Sequence, residues 1–203
     1  MGIVQDSIGL RWERILQERY PALESTSGDK NVPDFYHPSG FWIEAKAGNV
    51  LWGGRIKEYQ LDQIKDFQEP VVYAFGMHNL HDAIKRLNQR TERGRQNYLE
   101  RNMGIVETYF ISSEIMKMVF RMEKRTSKKG LVYCMVKPSL MRNIILDRGF
   151  SRFGSRIESS EEYYGFSRDD YLVDIQDNIG YVLHAEKEKK AIGLLLGNSL
   201  NPY

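Results

Sequence analysis

The sequence predicts an α/β fold in one domain, and three observations predict it. Apolar residues recur at helical spacing in Ile8, Trp12, Ile15, Leu16 and Tyr20. The run Val71–Met77 reads as a buried strand, with further strand-like runs after it. Helical and strand patterns alternate along 203 residues without a repeat, a low-complexity segment or a flexible linker. A hydrophobic content of 41% is enough to build a substantial core, and 12% aromatic residues argue against disorder.

Taken in order, the first helix runs from Asp6 or Ser7, both good caps, to Tyr20 before Pro21. Glu13 and Glu18 flank its apolar stripe on opposite sides, so either can lean over the edge of a sheet. Leu23–Thr26 reads as a short strand and Ser27–Asn31 as a loop. Two strands then follow, Val32–His37 and Phe41–Ala47, joined by Pro38, Ser39 and Gly40. A three-residue hairpin loop ending in glycine is favoured, because that position needs a left-handed backbone. Gly48, Gly53 and Gly54 mark a break. A second helix is predicted from about Ile56 to Gln68, with Ile56, Tyr59, Ile64 and Phe67 inward and Gln60 and Gln63 projecting from the same stripe. After Val71–Met77 come a helix over His81–Asn102, a strand over Val106–Ile111 and a helix over Ser113–Lys124. A strand over Leu131–Val136, a helix over Pro138–Leu146 and a strand over Gly180–His184 complete the reading; Ile192–Leu196 and the tail after it have no clear role.

The hairpin carries the chemistry. Its register sets His37 against Phe41, Tyr36 against Trp42, Phe35 against Ile43 and Asp34 against Glu44. Glu44 and Lys46 share one strand face, and Ile43, Ala45 and Ala47 take the other. Opposed residues have Cβ atoms about 5 Å apart, and like charges there repel. A sheet has no structural reason to hold Asp34 against Glu44 unless a cation lies between them. Polar residues on one strand face also form the wet side of an antiparallel sheet, so the surroundings must decide.

Composition excludes several classes. No apolar run approaches the roughly 18 residues a membrane helix needs, and no charged-then-apolar signal peptide opens the chain. Cys134 is the single cysteine, in an apolar run, so a buried structural thiol in a reducing, intracellular (cytoplasmic) setting is expected. There is no Walker loop, dinucleotide fingerprint or cysteine cluster, which leaves ATP-driven and redox functions, and any nucleotide cofactor, unsupported. His78 and His81 form a weak His-x-x-His pattern, and His37 reads as a surface residue beside the turn.

The formal net charge is only +2, but its distribution is uneven. Lys85, Arg86, Arg90, Arg93, Arg95 and Arg101 fall on one predicted helix. A second cluster runs from Lys117 to Lys129. Arg148, Arg152 and Arg156 recur every four residues beside Phe150 and Phe153, while the stretch Glu161–Asp177 is acidic. One basic face suits a polyanion, and Arg90, Arg93, Arg148, Arg152 and Arg156 are the candidate DNA-binding residues.

Pro33-Asp34 and Glu44-Ala45-Lys46 on adjacent strands, a first-helix glutamate in Gly9-Leu10-Arg11-Trp12-Glu13 and a glutamine in Tyr59-Gln60-Leu61 together resemble the PD-(D/E)XK nuclease superfamily. The resemblance covers roughly residues 9–77. It implies a restriction endonuclease-like core (helix, mixed central sheet, helix, strand) over about residues 4–80, followed by an α/β C-terminal elaboration over about residues 81–203. It favours Glu13 over Glu18, and Gln60 over its rival Gln63. It further implies Mg²⁺ or Mn²⁺ held by Asp34, Glu44 and the Ala45 carbonyl, with Glu13 helping directly or through water. Lys46 would position or deprotonate the attacking water or neutralise charge at phosphorus, and Gln60 would orient Lys46 or the phosphate. The activity so implied is metal-dependent hydrolysis of DNA phosphodiesters by an endonuclease, either like a Holliday junction resolvase or of restriction or homing type. It would act on duplex or branched DNA and assemble as a homodimer. The alternative is a catalytically silent DNA-binding or scaffold protein with a nuclease-like fold.

Overall fold

Val4, Ile8, Trp12 and Leu16 return to one side of a helix every fourth residue, and they are the buried residues of α1 (Ile3–Arg19). The computed structural model describes residues 3–26, 29, 31–80, 83–148, 150–152, 155–157, 159–166, 171–176 and 179–184. Val4 extends the stripe past the expected cap, so α1 starts three residues before Asp6. The buried Tyr20 closes the helix, its N–H donating to the Leu16 carbonyl at 2.8 Å.

The hairpin forms in the expected register, but its first strand is shorter than Val32–His37 and its second runs past Ala47 through Gly48. After β1 (Glu24–Ser25), β2 (Phe35–His37) pairs antiparallel with β3 (Phe41–Asn49), matching Phe35 to Ile43, Tyr36 to Trp42 and His37 to Phe41. Gly40 takes the left-handed backbone the turn requires, at φ 89°. His37, read as a surface residue, is instead buried and stacked on Phe41, with ring centroids 4.6 Å apart.

The predicted second helix is shorter. Gly54–Lys57 forms β4, because its alternating pattern pairs with β8 (Val132–Val136), and only Glu58–Gln63 is helical, as α2. Pairing across the chain here outweighs local helical spacing. Ile56 therefore points inward from a strand, Tyr59 is exposed, and Leu61 and Ile64 form the buried side.

β5 (Val71–His78) lies parallel to β3, with Glu44 opposite Tyr73 and Lys46 opposite Phe75. The helix expected over His81–Asn102 is two, α3 (Ala83–Asn88) and α4 (Glu92–Asn102). Thr91 divides them by capping α4, its hydroxyl accepting the Gly94 N–H at 3.2 Å. β6 (Ile105–Ser112) follows, and Ser112 caps α5 (Ser113–Glu123). β7 (Arg125–Thr126) joins β8, and proline opens α6 (Pro138–Ile145). The last described elements are β9 (Phe150–Arg152), β10 (Ser155–Ile157), α7 (Ser160–Tyr164), β11 (Tyr171–Gln176) and β12 (Ile179–His184). His81 and Ile192–Leu196 lie outside the described residues.

The central sheet is mixed, in the order β1-β2-β3-β5-β6-β12-β11; β4-β8-β7 and β9-β10 are separate small sheets. One face of the central sheet packs on α1, α3 and α4 through Trp12, Leu16, Ile43, Ala74, Leu87 and Leu99. The other meets α2, α5, α6 and the small sheet β4-β8-β7 through Ile56, Phe75, Ile115, Phe120, Cys134 and Ile144. Each such large apolar side chain, fully buried, contributes roughly 1.5–3 kcal/mol. Trp12 fixes α1 over the sheet: its indole donates to the Ala74 carbonyl at 3.0 Å and its ring fills the space above Gly76. Among the described residues no helix is long and apolar enough to cross a membrane.

Candidate active site

Asp34 stands one residue before β2, and Thr26 holds it there. The Thr26 N–H donates to the Asp34 carbonyl at 3.0 Å, and its hydroxyl donates to the Pro33 carbonyl. The register ends at Phe35–Ile43; continued, it would set Asp34 against Glu44 and then Pro33 against Ala45. Proline has no N–H, so it offers the Ala45 carbonyl no ladder donor. The Ala45 N–H is taken instead by the Asp34 carboxylate, at 2.8 Å. Pairing of β2 with β3 therefore stops here, and β3 runs on without β2 to Asn49, which pairs with Gly53.

Glu44 and Lys46 lie where β2 stops pairing, on the shared face, their side chains 13% and 14% exposed and joined as an ion pair. Burial lifts the Glu44 carboxyl above its ordinary range; Lys46 opposes the rise and Asp34 adds to it. For Lys46, burial pulls the ammonium down, but Glu44 and Asp34, with help from Glu13, outweigh it and hold it protonated above its usual value. The desolvation of each partner thus favours keeping the two together.

Glu13 reaches the same place from α1. Its carboxyl is raised from 4.5 to about 7, first by burial and then by Asp34, with Lys46 lowering it and Glu44 raising it. Glu18 turns the other way, is 58% exposed, and pairs with Arg11 at 3.3 Å. The structure thus brings Glu13, Asp34, Glu44 and Lys46 together from α1 and the hairpin.

Gln60 is placed differently from the reading that sets it on Lys46 or a phosphate. Its carboxamide oxygen accepts the Lys57 N–H at 3.1 Å and caps α2, while Gln63 is exposed. The reason is the extra strand β4, which moves the start of the helix to Glu58 and turns Gln60 into an N-terminal cap partner.

Tyr73 is a neighbour that sequence reasoning passed over. It is fully buried opposite Glu44, and its hydroxyl finds no hydrogen-bond partner among the described residues. Burial, then Glu44 and Asp34, push its phenol well above the usual range. A tyrosine in the middle of an otherwise apolar strand, VVYAFGM, was the available signal.

The donor set is oxygen alone, as hard divalent cations prefer. Among the described residues no three His, Cys, Asp or Glu side chains converge to hold a metal ion between them. Two carboxylates and a main-chain carbonyl freed of its ladder partner, completed by water, still match how Mg²⁺ is bound, through one or two carboxylates.

The basic candidates are not brought into one patch. Arg90 and Arg93 are exposed around the start of α4, on the α1 side of the sheet, with Arg90 stacked over Tyr98 at 4.8 Å. Arg148 is exposed after α6, on the opposite side. Arg152 and Arg156 fall on neighbouring strands, β9 and β10, where they pair with Ser155 and Ser151. Of the remaining singled-out groups, Cys134 is buried and His78 accepts the Leu80 N–H at 3.2 Å within the core. No family model matches the chain, and no curated protein and no solved structure matches it.

Proposed function

We propose that the chain is a metal-dependent endonuclease that hydrolyses phosphodiester bonds in DNA. The observation that carries this reading is the meeting of Glu13, Asp34, Glu44 and Lys46 where β2 stops pairing with β3 and Pro33 leaves the Ala45 carbonyl without a ladder donor. Asp34, Glu44 and that carbonyl would hold Mg²⁺ or Mn²⁺, with Glu13 helping directly or through water; the bound ion supplies charge neutralisation at the phosphate and acidifies water. Lys46, kept protonated by its carboxylate neighbours, is suited to offset negative charge developing at phosphorus. Glu13, poised near neutrality, is suited to take a proton from the attacking water. These roles give the lysine to charge stabilisation and the first-helix glutamate to proton transfer. A resolvase-like and a restriction- or homing-type enzyme share this chemistry, and a homodimer would supply one site per strand.

The test is cleavage of supercoiled plasmid, linear duplex and a synthetic four-way junction with Mg²⁺ and Mn²⁺, alongside Asp34→Ala and Lys46→Ala. Metal-dependent cutting lost in both variants supports the reading. Binding of DNA without cutting under either metal refutes it. That result favours the silent binding protein, a reading to which the closed Glu44–Lys46 pair lends some support.

A further inference from the structure

The turn that ends β3 is built to hold two apolar side chains in solvent. Asn49 and Gly53 exchange backbone hydrogen bonds at 3.2 and 2.7 Å, closing a loop of Val50, Leu51 and Trp52. The buried Asn49 side chain donates to the Leu80 carbonyl at 2.8 Å and accepts the Leu51 N–H at 2.8 Å. The Val50 N–H donates to the His78 carbonyl at 3.1 Å. Gly53 adopts φ 82° against the end of β8, where a side chain would collide with the Val136 backbone. On this rigid frame Leu51 is 58% and Trp52 66% exposed. A loop fixed at so many points gains nothing in stability from exposing a tryptophan at its tip.

The small sheet that starts at this turn is cationic on its outer face. Ile56, Cys134 and Val136 point into the core, so Arg55 and Lys57 on β4, and Tyr133 and Met135 on β8, take the outer side. Arg55 stacks over Tyr133 at 4.7 Å, and Arg125 on β7 is registered opposite Tyr133. The β7–β8 turn is itself ordered, Ser127 binding Leu131 and Gly130, and it presents Lys128 and Lys129 to solvent. Lys137 stands exposed beside Gly53 at the other end. None of the three strands carries a carboxylate. Among the described residues the ion pairs involve none of Arg55, Arg125, Lys128, Lys129 or Lys137.

We propose that this outer face and the Leu51–Trp52 tip form a DNA-binding surface, in which the cations follow the phosphates and Trp52 stacks on an unpaired base. Cations alternating with aromatic faces are the chemistry that recognises a nucleic-acid strand, and an apolar wedge on a rigid loop suits an unstacked step. The surface lies on the side of the central sheet that Glu44 and Lys46 face, and the tip ends the strand that carries them, about 10–20 Å away along β3. It deepens the nuclease reading, on which its link to catalysis rests, by assigning substrates with unpaired bases, such as branched or bulged DNA.

Binding is measured by fluorescence anisotropy in EDTA, so that cleavage plays no part and the surface and the nuclease reading can fail separately. The probes are a 30-base-pair duplex, the same duplex with a three-base bulge, and a 30-nucleotide single strand. The combined variant Arg55→Ala/Arg125→Ala/Lys128→Ala/Lys129→Ala is expected to bind all three at least tenfold more weakly, with a log–log salt slope on duplex reduced by about three. Trp52→Ala is expected to lose about tenfold on the bulge and the single strand but less than twofold on the duplex. In a Trp42→Phe background, single-strand binding should quench tryptophan fluorescence and leave Trp42→Phe/Trp52→Phe unquenched, since the remaining Trp12 is buried. Both alanine variants should melt with the wild type. Unchanged affinity and salt slope in the combined variant overturn the cationic surface. Equal loss, or no loss, on all three probes in Trp52→Ala overturns the stacking role.

Discussion

Replacing Glu13 with glutamine tests whether the site is under the electrostatic load that its geometry describes. A carboxyl held at about 7 in the folded chain and near 4.5 when unfolded keeps a proton on folding that the unfolded chain has released. Between those values the folded state binds more protons, so its stability falls as pH rises and the loss is complete above about 7. The full difference corresponds to roughly 3 kcal/mol. Because Glu13 is partly open to solvent, screening reduces this to about 1–2 kcal/mol. Glu13→Gln has no charge to desolvate and no repulsion from Asp34 and Glu44. In metal-free buffer it should gain over the wild type as pH rises, reaching about 3–6 °C in melting temperature at pH 8 for a chain of this size. Calorimetry from pH 4.5 to 8.5 makes the measurement, and the difference between the two proteins cancels titrations elsewhere. A difference that stays constant over that range would refute the placement of Glu13 among the carboxylates.

Other side chains make equally direct predictions. Lys46→Met leaves the buried Glu44 carboxylate unpaired and should cost about 3 kcal/mol in urea unfolding at pH 8; a loss below about 1 kcal/mol would mean that the pair is solvated. Tyr73→Phe removes a buried hydroxyl that has no partner among the described residues, so stability should rise by up to about 1 kcal/mol, and a fall of that size would show that the hydroxyl is bonded. At Gly76 an added methyl would sit 2.5 Å from the Trp12 ring, so Gly76→Ala should cost about 2–3 kcal/mol in urea unfolding; an unchanged stability would mean α1 does not lie there.

The hairpin was legible because its determinants are local. Alternation sets the faces, the three-residue turn with Gly40 sets the register, and together they bring Asp34 beside Glu44 and Ala45 from sequence alone. The first helix was legible for the same reason: Ile8, Trp12 and Leu16 can share a side only at helical spacing. That reading left Glu13 and Glu18 as equals on residue grounds. Only the packing of Trp12 against Ala74 and Gly76 decides which glutamate passes the edge of β3 and which meets Arg11.

Where the outcome depended on a distant partner, the local pattern misled. Ile56 and Lys57 look like the start of a helix until β8, some eighty residues later, pairs with them, and that pairing turns Gln60 into a cap. The basic clusters were visible as charge, but their faces were not, because α4 and α6 dock on opposite sides of the sheet. The cationic side of β4-β8-β7 exists only once strands from separate parts of the chain are paired. What this sequence determined by itself were the elements whose period and turns are written within a few residues, and with them the chemistry of the hairpin. Which groups meet Glu44 and Lys46, and which surface stands beside them, was decided by tertiary structure, because long-range pairing and burial set those neighbours and neither has a local signature.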